Sequence, residues 1–123
     1  MARILIADDD PILRELVRYR LEQDGHETVS AADGAAALER TRAGDIDLVV
    51  LDSMMPVVSG PAVLAELKGN PATSAIPVVM LTARKDDGDV VAALEGGAGE
   101  YITKPFIPKE LLARITRLLS PPR

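Results

Sequence analysis

Residues Leu48-Val49-Val50-Leu51, with Asp52 immediately after them, decide how this chain is read. Four consecutive apolar residues show none of the alternation that a strand with one wet face needs. A short run of this kind reads as a strand covered on both sides, which is the usual situation in parallel sheets. The pattern recurs on either side. Ile4-Leu5-Ile6-Ala7 runs into Asp8-Asp9-Asp10-Pro11, and Pro77-Val78-Val79-Met80-Leu81 ends in Thr82. Tyr101-Ile102-Thr103 is shorter and ends in Lys104-Pro105, and Thr28-Val29-Ser30-Ala31 is a weaker fifth candidate.

Helical patterns separate these runs. Pro11 suits a first helical turn, and Ile12, Leu13, Leu16, Val17 and Leu21 recur at helical spacing until Asp24-Gly25. Ala35-Ala36-Ala37-Leu38 opens a second helix that ends near Gly44. Val63, Leu64 and Leu67 mark a third after a loop with Pro56 and Gly60; Val90, Val91 and Leu94 mark a fourth, closed by Gly96-Gly97. Leu111, Leu112, Ile115, Leu118 and Leu119 form the stripe of a last helix. Strands alternating with helices predict an α/β fold, a doubly wound five-stranded parallel sheet, for which we take the order 2-1-3-4-5. One domain is expected over residues 1–119, with 120–123 a tail or the start of a linker.

Composition narrows the function. The 123 residues carry a net charge of −5, with lysines and arginines scattered, so no basic face for nucleic acid is expected. Without cysteine there is neither a disulfide framework nor a thiolate metal site, and one histidine, His26, makes no cluster. His26 follows Gly25 in a turn and is expected in solvent, without a role. The N-terminus has no signal-like apolar region and no run approaches a membrane span, so a cytoplasmic protein is expected.

The strand ends carry the chemistry. Ligands of open parallel sheets bind beyond the carboxyl ends of the strands, where strand order reverses. In a 2-1-3-4-5 sheet that point lies between strands one and three. Asp8, Asp9, Asp52, Thr82 and Lys104 would then meet at one edge. Oxygen-only ligands favour a hard cation such as Mg²⁺. A metal and a lysine can neutralise a phosphoryl group, and a carboxylate can take one up as an aspartyl phosphate. Alone, Asp8 to Asp10 would read as a solvated turn before Pro11; Asp10 keeps that helix-cap reading beside the metal site. Met54, Met55 and Met80 read as loop and core packing.

These residues, in this order, resemble the receiver domain of bacterial two-component response regulators. The matching stretches are ILIADDD, LVVLDSMMP followed by Gly60, VVMLTA and GAGEYITKPF, and together they cover nearly the whole chain. The resemblance implies a flavodoxin-like fold in which Asp52 accepts a phosphoryl group from a histidine kinase or a histidine phosphotransfer protein. It implies Mg²⁺, or Mn²⁺ in its place, on Asp8, Asp9, Asp52 and the backbone carbonyl of Met54. Thr82 and Lys104 would bind phosphoryl oxygens, Pro105 would follow a cis peptide, and Tyr101 would turn inward on activation. The switch would act through the fourth helix, fifth strand and last helix on a downstream output domain or protein.

The chain departs from that pattern at Val57 and Ser59, where glycine and aspartate are frequent, and at Ser53, where an apolar residue is usual. The segment KPFIPKELLARI resembles regulators that dimerise through charged pairs, for which Glu100, Glu110 and Arg114 would serve. Val90, Gly99 and Pro121 replace the lysine, aspartate and arginine of that subfamily, so a monomer or weak dimer is expected. Two rivals remain at this point. Asp8-Asp9-Asp10 also fits the D-x-D signature of haloacid-dehalogenase-type phosphatases, with Asp8 as nucleophile; and a pseudo-receiver would bind partners without phosphorylation.

Overall fold

The apolar runs fold as five parallel strands: β1 (Arg3–Ala7), β2 (Glu27–Ala31), β3 (Leu48–Asp52), β4 (Val78–Thr82) and β5 (Glu100–Thr103), in the order β2-β1-β3-β4-β5. This computed structural model describes residues 2–82 and 96–119. The helix expected around Val90, Val91 and Leu94, and the tail from 120 to 123, lie outside the described residues. The described helices are α1 (Pro11–Gln23), α2 (Gly34–Arg42), α3 (Gly60–Gly69) and the last helix, α4 (Pro108–Leu119).

Alternate residues of each strand enter two separate cores. Leu5, Ala7, Val49, Leu51, Val78 and Met80 pack with Ala37, Leu38, Val63, Leu64 and Leu67 of α2 and α3. Ile4, Ile6, Leu48, Val50, Val79, Leu81 and Ile102 pack with Val17 and Leu21 of α1 and Leu111 and Ile115 of α4. Every residue of β3 and β4 is buried, which is why these strands read as unbroken apolar runs. β2 lies at the edge and is only partly buried, hence its weak signal.

Three sequence expectations need correction. Ile12 and Leu16, counted in the apolar stripe of α1, are exposed, because the helix rests on the sheet through Val17 and Leu21 with Leu13 partly buried. His26 is half-buried, and its Nδ1 accepts the backbone N–H of Ala2 at 3.1 Å, tying the turn after α1 to the start of β1. Met54 is 59% exposed and packs into neither core, whereas Met80 is buried.

Asp10 is the N-cap of α1. Its Oδ1 accepts the N–H groups of Ile12 (3.0 Å) and Leu13 (3.4 Å), two donors that the first turn leaves without intrahelical partners. Asp10→Ala is expected to cost about 1 kcal/mol of stability, the usual loss for a cap. Urea unfolding checks this: the midpoint should fall with an unchanged slope.

Candidate functional site

The site is a consequence of register. Pairs Ile4↔Leu48 through Ala7↔Leu51 bring β1 and β3 into step, so the next residue of each strand line, Asp8 and Asp52, fall side by side. Period two then sets their direction. Asp8 continues the face of Ile4 and Ile6, Asp52 that of Leu48 and Val50, and Lys104 that of Ile102, all on the side covered by α1 and α4. Thr82 follows Val78 and Met80 on the opposite parity, as does Tyr101, which packs against that core.

Asp8 and Asp52 are 1% and 5% exposed, while Asp9 is exposed. The Lys104 ammonium lies 3.0 Å from Asp8 Oδ2 and 3.3 Å from Asp52 Oδ1. Carboxylate oxygens of Asp8, Asp9 and Asp52 all come within 4.8 Å of one another. Three negative charges thus face one positive charge when all are ionised. The strain of that arrangement falls on Asp52. Burial, followed by repulsion from Asp8, pushes its carboxyl from an ordinary 3.8 up to about 6, despite Lys104 and an N–H from Met54 at 3.4 Å. Burial also works against the Lys104 ammonium, but its bond to Asp8 and the charge of Asp52 outweigh this and raise its pKa.

The surrounding loops are shaped to this edge. At Gly60 a Cβ would lie 2.2 Å from the Asp52 carbonyl oxygen and 2.6 Å from Ser53 Cα, so the start of α3 can pass this close only as glycine. Ser59 caps α3 by accepting the N–H of Ala62 at 3.4 Å, doing what an aspartate there would do. Val57 adopts φ 71°, and Val58 N–H bonds the carbonyl of Pro56 at 2.9 Å across it. That is the φ-positive form of a γ-turn, a strained conformation for a β-branched residue. The Lys104–Pro105 peptide is cis, and Lys104 N–H bonds the Thr82 carbonyl at 2.6 Å, joining the ends of β4 and β5.

The structure therefore brings Asp8, Asp9, Asp52 and Lys104 together, with Thr82 buried at the end of β4. Tyr101 is half-buried on β5 away from this cluster's face. Glu100 is buried and paired with Arg114 and Arg117 of the same chain, so two of the three residues offered for a dimer bind each other. Sequence reading missed Arg14, whose Nη1 donates to the carbonyl of Asp8 at 2.7 Å. An arginine six residues after Asp8 gives no local signal of such a bond.

Comparison with known proteins gives a consistent picture. The family model described as the response regulator receiver domain matches residues 4–116. The phosphate regulon transcriptional regulatory protein PhoB of Escherichia coli K12 is 46% identical over 117 residues, which is 95% of this chain and 51% of that protein. The DNA-binding response regulator MtrA of Mycolicibacterium smegmatis is 47% identical over 113 residues, 92% of this chain and 48% of its own. The chain thus spans about half the length of these relatives. Among solved structures, a Francisella response regulator receiver domain aligns with a TM-score of 0.91 at 31% identity, covering 97% of each chain. The receiver domain of a Syntrophus aciditrophicus signal transduction histidine kinase aligns with a TM-score of 0.89 at 37% identity, over 97% of this chain and 90% of that one.

Two outcomes are expected from this geometry. Because Asp52 has a higher pKa folded than unfolded, its charged form destabilises the fold, fully above about pH 6 and progressively less toward pH 4. Asp52→Asn should therefore raise the melting temperature in metal-free buffer above pH 6, with the gain shrinking as the pH falls to 4. Val57→Gly should stabilise the protein by up to about 1 kcal/mol: relief of about 1–2 kcal/mol of left-handed strain exceeds the added entropy of the unfolded chain. Thermal melts at matched pH read both.

Proposed function

The chain belongs to the response regulator receiver domain family, and from that premise we propose that it is the phosphoacceptor switch of a two-component relay, with Asp52 as the acceptor. The observation that carries this reading is the Lys104 ammonium held between Asp8 and Asp52 at the strand-order reversal, with Asp9 alongside. Two uncompensated negative charges on oxygen-only donors match a hard divalent cation. Asp8, Asp9 and Asp52, with the backbone carbonyl of Met54, would hold Mg²⁺, and Mn²⁺ fits the same donors. When bound, the ion supplies charge neutralisation to the acids and to phosphoryl oxygens.

The chain's own residues do the rest. Asp52 remains mostly ionised at neutral pH and its carboxylate oxygen attacks phosphorus of a phosphohistidine on the donor protein. The new P–O bond forms as the N–P bond breaks, and the imidazole nitrogen leaves with the electron pair and takes a proton from water. Lys104 exchanges its contact with Asp52 for a phosphoryl oxygen, and the Thr82 hydroxyl donates to another. Hydrolysis reverses the capture: water attacks phosphorus, and inorganic phosphate and the Asp52 carboxylate are released. Asp8 is poorly suited to be the nucleophile, since its Oδ1 accepts the N–H of Asp10 at 2.9 Å and its Oδ2 accepts Lys104.

Movement of Thr82 toward the phosphoryl group would favour an inward Tyr101 and so bias the surface of β5 and α4, a population shift limited by the differential stability of the two states. The donor is a histidine kinase or phosphotransfer protein, and the output is a domain or protein downstream. PhoB and MtrA bear names of transcriptional and DNA-binding regulators, which supports a transcriptional output here. Among the described residues no helix is long and apolar enough to cross a membrane. A cytoplasmic site of action follows from the relay itself.

Intact mass after incubation with Mg²⁺ and acetyl phosphate tests the assignment. Wild type should gain a single phosphoryl group and Asp52→Asn none. An adduct retained by Asp52→Asn would place the nucleophile at Asp8 and favour a phosphatase. No adduct on a wild-type protein that binds Mg²⁺ would favour a pseudo-receiver.

A further inference from the structure

Asp8 is held at every hydrogen-bonding atom it has. Its N–H bonds the carbonyl of Ala31 at 3.1 Å, its Oδ1 accepts Asp10 N–H, its Oδ2 accepts Lys104, and its carbonyl accepts the Arg14 guanidinium at 2.7 Å. Asp9 is the opposite case. Its carboxylate is exposed, and among the described residues no hydrogen bond or ion pair engages it, yet it is one of the three acids that cluster. The orientation of Asp9 is therefore left to its backbone, and the peptide unit that leads into it carries the Asp8 carbonyl.

Only Arg14 holds that carbonyl among the described residues. Arg14 is half-buried, and its guanidinium pairs with no carboxylate among them; its one bond is to this peptide. Its backbone N–H in turn bonds the carbonyl of Asp10 at 3.0 Å. One residue of α1 thus grips the acid turn at both ends, and a cationic donor to a carbonyl makes the stronger kind of hydrogen bond. A free peptide at this position could rotate, carrying Asp9 toward water and away from the other acids, whose negative charge already repels it.

We propose that Arg14 is a positioning residue for the metal site: by fixing the Asp8–Asp9 peptide it keeps the Asp9 carboxylate turned toward Asp8 and Asp52. The inference rests on the reading of these acids as a divalent-cation site. It assigns Arg14 to the ion through Asp9, and not to the phosphoryl group or to general stability.

Calorimetric titration with Mg²⁺, backed by urea unfolding in chelator, tests this in the whole chain. Arg14→Ala should weaken Mg²⁺ binding by about 10- to 100-fold, the range for residues that orient a ligand. Arg14→Lys, which keeps one cationic donor to the carbonyl, should recover part of the loss. In an Arg14→Ala background, Asp9→Ala should add little further loss, because both changes remove the same ligand. Wild-type affinity in Arg14→Ala, or a fall in stability alone, would overturn the proposal. So would a double variant whose losses simply add. Wild type that fails to bind Mg²⁺ would overturn the cation-site reading and this inference with it, so the two failures are distinct.

Discussion

Two buried carboxylates that share one ammonium are the constraint on which the rest of this structure turns. Asp8 and Asp52 end adjacent strands at the centre of the sheet, where each would be costly to ionise alone. Lys104 reaches both from the end of β5, two strands away from Asp52. One cation offsets the acids only in part, and burial first, then repulsion from Asp8, leave the pKa of Asp52 raised. A fold selected for stability alone would have little use for this edge. Such local conflict is expected where a protein keeps charge ready for a ligand.

The elements around the edge divide the acids into a fixed and an available set. Asp8 accepts one hydrogen bond at each carboxylate oxygen and serves as the anchor, each oxygen keeping a lone pair for an ion. Asp9 and Asp52 retain oxygens for something else. The loop after β3 follows the same division. Gly60 lets α3 start against the Asp52 carbonyl, Ser59 caps that helix, and Val57 bears the strain of the tight turn that precedes it.

A third buried carboxylate, Glu100, sits at the start of β5. Burial works against ionising Glu100, but the bonds from Arg114 and Arg117 of α4 prevail and hold its pKa below the ordinary value. β5 is thus tied to α4 near its start by this cluster and to the site beyond its end by Lys104. The same pairing consumes, within one chain, charges that a symmetric partner surface would otherwise use.

Much of this was legible in the residues themselves. Unbroken apolar runs such as Leu48–Leu51 and Ile4–Ala7 announce strands covered on both faces, and the helical patterns between them predict a parallel sheet with helices on both sides. Asp8, Asp9, Asp52, Thr82 and Lys104 could be singled out because each directly follows or closes such a run. The sequence also marked Asp10 as a cap, since its chemistry involves only the next three residues. What it could not state is anything that depends on contacts between distant segments. The exposure of Ile12 and Leu16 follows from which stripe of α1 meets the sheet. The bond from His26 to Ala2, the internal pairing of Glu100, and the grip of Arg14 on Asp8 follow from packing in the same way. Period and propensity are local properties of the chain, whereas the partner of a polar atom is set only when strand order and helix placement bring two segments within 3 Å.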